Sequence, residues 1–93
     1  MKRAPLFVVG YDISCDRERR SVDRVLAGVG HRLQKSLYQA RLTRADLQRL
    51  DARLKALGLC TGWVRMYRVA ESSPPRSFGQ VPTDPDAGLV FVV

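Results

Sequence analysis

Asp12 follows an apolar run, Leu6–Tyr11 (LFVVGY), that suits a buried central strand, so its carboxylate stands where that strand leaves the sheet and meets solvent. Two uses follow. Mg²⁺ takes oxygen ligands, keeps several waters and is commonly held by one or two protein carboxylates, so one Asp from each of two copies would place a metal-bound water against a phosphodiester. Alternatively, Asp12 caps the turn into the next element, as Asp and Ser do routinely. Asp16 is open to the same two readings, with helix N-capping favoured.

A second constellation is cationic. Arg17, Arg20 and Arg24 fall at i, i+3 and i+7, opposite a stripe formed by Val22, Val25, Leu26 and Val29. That face is a phosphate-contacting ridge or an ordinary solvated face, and spacing alone does not choose. Cys15 and Cys60 have no C-x-x-C spacing and, with His31, cannot complete a four-ligand zinc site; both read as free thiols.

Sixteen Lys plus Arg against nine Asp plus Glu leave a formal charge of +7, with Arg predominating. The guanidinium fork matches phosphate bidentately, so the excess points to nucleic acid. The 93 residues, 45% hydrophobic and 27% charged, suit one domain over residues 1–93 built on a single core. The run Leu6–Val9 is too short for a leader and nothing approaches a membrane span, which predicts a cytoplasmic protein with no membrane partner.

These groups must be positioned by short elements. After the first strand, Asp16 can cap a helix that Gly30 ends. His31–Leu42 roughly alternates and predicts two short strands with a hairpin near Ser36–Tyr38. Thr43 and Asp46 form a T-x-x-D capping box for a second helix with a seam of Leu47, Leu50, Leu54 and Leu57, closed at Gly58. Trp63–Val69 alternates as a fourth strand, with Val64 and Met66 on one face, Arg65 and Tyr67 off it, and Trp63 read as a packing residue with a base or partner contact as the alternative. Residues 72–88 are a Pro-rich loop, and Leu89–Val93 (LVFVV) predicts an additional C-terminal strand. The order βαββαβ is the α+β ferredoxin-like arrangement, with both helices on one face of an antiparallel sheet. The other face needs a cover, which predicts a homodimer with residues 89–93 pairing across it.

Four segments resemble the CRISPR-associated Cas-two family: Tyr11-Asp12-Ile13-Ser14 after the apolar strand, the run from Gly30 to Tyr38 (GHRLQKSLY) against the family's G-x-R-V-Q-x-S-V-F, Leu42-Thr43 with the Leu seam, and Val64-Arg65-Met66-Tyr67 against V-R-I-Y. Their order and spacing make the resemblance specific over residues 6–69. It implies a homodimer that joins dimers of a CRISPR integrase subunit and cradles double-stranded DNA during spacer acquisition. It also implies a metal-dependent endonuclease acting on DNA or single-stranded RNA, with Asp12 as catalytic acid and ligand of Mg²⁺ or Mn²⁺. Arg19 and Arg32 match family arginines associated with nucleic acid, with a surface ion pair or strand-edge charge as the alternative; Tyr38 matches the family's Phe position in a nucleic-acid-binding role, with core or interface packing as the alternative, and Ser36 matches too. The chain departs from the pattern at Ser21, at Gln39 where Glu is common, and at Gly62-Trp63. A ribonuclease toxin of similar fold is the alternative reading.

Overall fold

Every second residue of the first strand faces the core, and that parity organises the molecule. The computed structural model describes residues 3–71 and 76–80. Within them the chain runs β1 (Leu6–Ile13), α1 (Asp16–Ala27), β2 (His31–Gln34), β3 (Leu37–Arg41), α2 (Arg44–Ala56) and β4 (Gly62–Arg68). The sheet order is β2-β3-β1-β4, with each neighbouring pair antiparallel. This is the predicted ferredoxin-like arrangement, with β1 central.

Val9, Tyr11 and Ile13 of β1 join Tyr38 and Ala40 of β3 in one core with Val22, Val25 and Leu26 of α1 and Leu50 of α2. Each large aliphatic side chain buried this way contributes roughly 1.5–3 kcal/mol of transfer free energy. Val64 and Met66 of β4 pack on the same core, while Leu47, Leu54 and Leu57 supply the rest of the α2 seam. The capping box forms as predicted: the Asp46 amide donates to Thr43 Oγ1 at 3.1 Å and the Thr43 amide to Asp46 Oδ2 at 3.0 Å. Past the helix, Gly58 takes a positive φ of 58°.

Three local expectations are corrected. Asp16 is the first residue of α1 rather than its cap; Cys15 is the N-cap without a side-chain hydrogen bond, and the Asp16 carboxylate instead pairs with Arg19 one turn on. The helix ends at Ala27, not Gly30. Gly30 answers a different constraint, since a Cβ there would lie 2.2 Å from the Gln39 carbonyl oxygen. The hairpin turn is Lys35-Ser36, and the β2–β3 register shifts between Arg32 and Gln34, which explains the imperfect alternation of this stretch.

The opposite sheet face carries Leu6, Val8, Gly10 and Asp12, flanked in register by Arg41, Gln39 and Leu37 of β3 and by Tyr67, Arg65 and Trp63 of β4. It is unevenly covered. Leu6 and Gln39 are 1% exposed within a single chain, whereas Trp63 is 46% and Tyr67 56% exposed. Trp63 is therefore not core packing; strand parity places it beside Arg65, whose guanidinium carbon lies 4.9 Å from the indole ring centre. At the start of β4, Gly62 lets the strands close tightly, because a Cβ there would come within 1.9 Å of the Asp12 carbonyl oxygen. The predicted strand 89–93 and most of the 72–88 loop lie outside the described residues; residues 76–80 form neither helix nor strand. Among the described residues no helix is long and apolar enough to cross a membrane.

Candidate nucleic-acid interface

Asp12 is the penultimate residue of β1, exposed and opposite Trp63 in register. It lines a cleft of about 700 Å³ together with Arg19, Asp23, Arg32, Lys35 and Trp63. The walls are tied together by hydrogen bonds to strand and helix ends. Arg19 Nη1 donates to the carbonyls of Ile13 and Ser14, both at 2.9 Å, while Nη2 pairs with Asp16. Glu18 accepts from the Thr61 hydroxyl at 2.7 Å and amide at 3.0 Å, and from the Cys60 amide. Those bonds, the Thr61 hydroxyl first, hold the Glu18 carboxyl below its ordinary range. The end of β1, the start of α1 and the loop before β4 thus meet around Asp12.

Beside them lies a denser cluster. Asp23 Oδ1 accepts from the Tyr11 hydroxyl at 2.6 Å and the Tyr38 hydroxyl at 3.0 Å, and pairs with Arg32 Nη2 at 2.9 Å. Arg32 Nε also donates to the Tyr38 hydroxyl at 3.2 Å. Burial opposes ionisation of Asp23, but hydrogen bonds from Tyr11, Arg32 and Tyr38 outweigh it and keep the carboxyl below the usual range. Burial, reinforced by the neighbouring Asp23 charge, pushes the Tyr11 phenol up to about 12. Burial likewise raises Tyr38, against the opposing hydrogen bond from Arg32.

The predicted arginines divide into two groups. Arg17, Arg20 and Arg24 project from α1 exposed, and among the described residues their side chains form no ion pair or hydrogen bond. Arg20 and Arg24 line a groove of about 500 Å³ with Asp23, Arg32 and Tyr38. Asp12, Arg19 and Arg32 share the neighbouring cleft, and Arg17 lines neither. Tyr11 and Asp23 were not singled out from the sequence as site residues. The available signal was an acid lying between Val22 and Arg24 at the border of the apolar stripe, with a Tyr at the position where the family segment has Phe.

Both cysteines are free, and no cluster of three or more His, Cys, Asp or Glu suited to a metal exists among the described residues. Asp23, the other acid lining the cleft, receives three polar contacts on Oδ1, whereas Asp12 is exposed and its carboxylate has no partner among the described residues. One chain therefore presents a single available carboxylate in this cleft, where Mg²⁺ is commonly held by one or two.

The family model for CRISPR associated protein Cas2 matches residues 5–74. The chain belongs to the Cas2 family. A Mycobacterium tuberculosis relative named CRISPR-associated endoribonuclease Cas2 is 39% identical over 62 residues, covering 67% of this chain and 55% of the relative. The chain spans about half the length of that and of the Thermus thermophilus Cas2 it matches. Among solved structures, a hypothetical protein from Thermus thermophilus superposes with a TM-score of 0.75 at 30% identity, covering 85% of this chain and 95% of its own. Streptococcus pyogenes Cas2 shares the fold with a TM-score of 0.63 at 22% identity, covering 70% and 86% of the two chains.

Proposed function

We propose that this Cas2 chain acts in CRISPR adaptation, binding protospacer DNA as a homodimer and bridging integrase dimers during spacer acquisition. The observation that carries the reading is the row Arg17, Arg20 and Arg24: three exposed guanidiniums on one helix face, none committed to a partner among the described residues. Arginines that stabilise a fold are spent on carbonyls or carboxylates, as Arg19 and Arg41 are. Uncommitted ones on a chain of charge +7 are suited to replace the counterions of a phosphate backbone. Replacing all three by Ala weakens duplex DNA binding at least about tenfold at low salt and reduces the slope of log K against log salt by about 2–3. Unchanged affinity and slope in fluorescence anisotropy would sink the proposal.

The cleft favours a second activity for the same assembly, endonucleolytic cleavage of RNA or DNA. Asp12 contributes the exposed carboxylate, one from each copy, for Mg²⁺ or Mn²⁺. Arg32 and Lys35 line the same cleft and add charge suited to a scissile phosphate, while Arg19 ties its wall together. A bound divalent ion would supply an acidified water for phosphodiester hydrolysis. Asp12→Asn then abolishes metal-dependent cleavage while leaving duplex binding within about threefold, because a single exposed charge is removed away from the α1 ridge. Cleavage that persists in Asp12→Asn would assign it to another protein in the preparation.

A further inference from the structure

Asp23 is a carboxylate that the charge logic of its surroundings does not require. It occupies α1 between Val22 and Arg24 and faces a groove otherwise rich in arginine. By Coulomb's law alone it weakens the pull of that groove on phosphate. Its contacts reveal a different role. Oδ1 receives side chains from three strands: Tyr11 of β1, Arg32 of β2 and Tyr38 of β3. Arg32 is fixed at a second point by its Nε–H on the Tyr38 hydroxyl, and its guanidinium carbon lies 5.4 Å from that ring centre.

An arginine on a strand edge ordinarily gives up rotamer freedom when it meets a phosphate; here that loss has been taken on folding. The fork remains reachable, since the Arg32 side chain is 47% exposed and its Nη1 has no partner among the described residues. Asp23 and Arg32 both line the α1 groove and the Asp12 cleft, so they sit where the two depressions meet. Tyr38 makes the device possible, because a Phe there could neither accept from Arg32 nor donate to Asp23.

We propose that Asp23 is a positioning residue: with Tyr38 it fixes the Arg32 guanidinium at the junction, so that a nucleic-acid backbone lying along Arg20 and Arg24 is led by its phosphates toward Asp12. The proposal rests on the nucleic-acid reading above and adds the device that orients the strand. The ligand class is the phosphodiester backbone, independent of base sequence.

The sign of one substitution tests it. Neutralising an acid in a basic groove raises local positive charge, so an Asp23 acting only as a counter-charge would make Asp23→Asn bind more tightly. Positioning requires the opposite. With a labelled short DNA duplex and the full chain at fixed salt, Asp23→Asn and Tyr38→Phe each weaken binding about three- to tenfold. Neither has a further effect in an Arg32→Ala background, a result that general loosening of the fold would not produce. Tyr38→Phe preserves the packing and reports even where Asp23→Asn lowers stability. Unchanged or tighter binding in either folded variant, or an equal loss with and without Arg32, overturns the positioning role and leaves the nucleic-acid reading standing. Absence of salt-dependent binding by the unmodified chain overturns both.

Discussion

The outer face of α1 and the end of β1 carry the same kind of charge under opposite mechanical conditions. On α1, Arg17, Arg20 and Arg24 are exposed and unpaired among the described residues; at the strand end, Arg19 is held by two carbonyls and Asp16, and Arg32 by Asp23 and Tyr38. Free arginines attract an anion from any direction and lose side-chain freedom on capturing it. Held ones have lost that freedom already and can dictate where the anion sits. On the proposed nucleic-acid reading, attraction falls to the helix and placement to the strand end.

The sharpest way to break the contrast is to remove the group that holds Arg32. Asp23→Ala takes the shared acceptor from two hydroxyls and a guanidinium, at a cost of about 2–3 kcal/mol in chemical denaturation. The Lys35 carbonyl, 3.1 Å from the Tyr11 hydroxyl, remains as a fallback for that group and keeps the loss from being larger. A change below about 0.5 kcal/mol would mean that the cluster does not hold Arg32.

Titration sharpens the same point on both sides of neutrality. The unfolded chain releases the Tyr11 proton near pH 10 while the folded chain keeps it until about 12, so stability from this group is complete below pH 10 and is lost as pH rises toward 12. Tyr11→Phe removes that alkaline decline. The Asp23 carboxyl, depressed in the fold, works in the other direction: its contribution is present above the unfolded pKa of about 3.9 and is lost as pH falls through the folded value. Denaturation midpoints across pH for the parent, Tyr11→Phe and Asp23→Asn separate the two limbs; identical curves would place the cluster's energy elsewhere. The smallest effect belongs to α1, where Arg24→Ala alone shifts stability by no more than about 0.5 kcal/mol, since an exposed side chain without a partner leaves nothing unsatisfied. A larger loss in a thermal melt would show that the ridge is structural.

What the sequence disclosed follows the range of the interactions. The capping box of Thr43 and Asp46 and the seam around Leu50 are written within a few residues, and β1 announces itself by an unbroken apolar run. The Asp23 cluster joins residues 12 and 15 positions apart on α1, β1 and β3, so no local pattern encodes it. Trp63 is an intermediate case: reading an indole as packing gives it no face, whereas strand alternation puts it in parity with Arg65 and Tyr67, and it is 46% exposed. Asp12 was legible from its strand-end position and the family resemblance supplied Arg19 and Arg32 one at a time; only the fold brings them to one cleft.

Gly62 shows how that cleft can be adjusted without altering its chemistry. With only a hydrogen facing the Asp12 carbonyl, the β1–β4 pair is drawn in at the point where the carboxylate emerges. A methyl group there would act as a wedge, prising the strand ends apart and carrying Asp12 with them while no ionisable group was added or removed. Position 62 is thus a spacer of fixed thickness, and a single hydrogen sets where an exposed strand-end acid stands relative to anything brought against it.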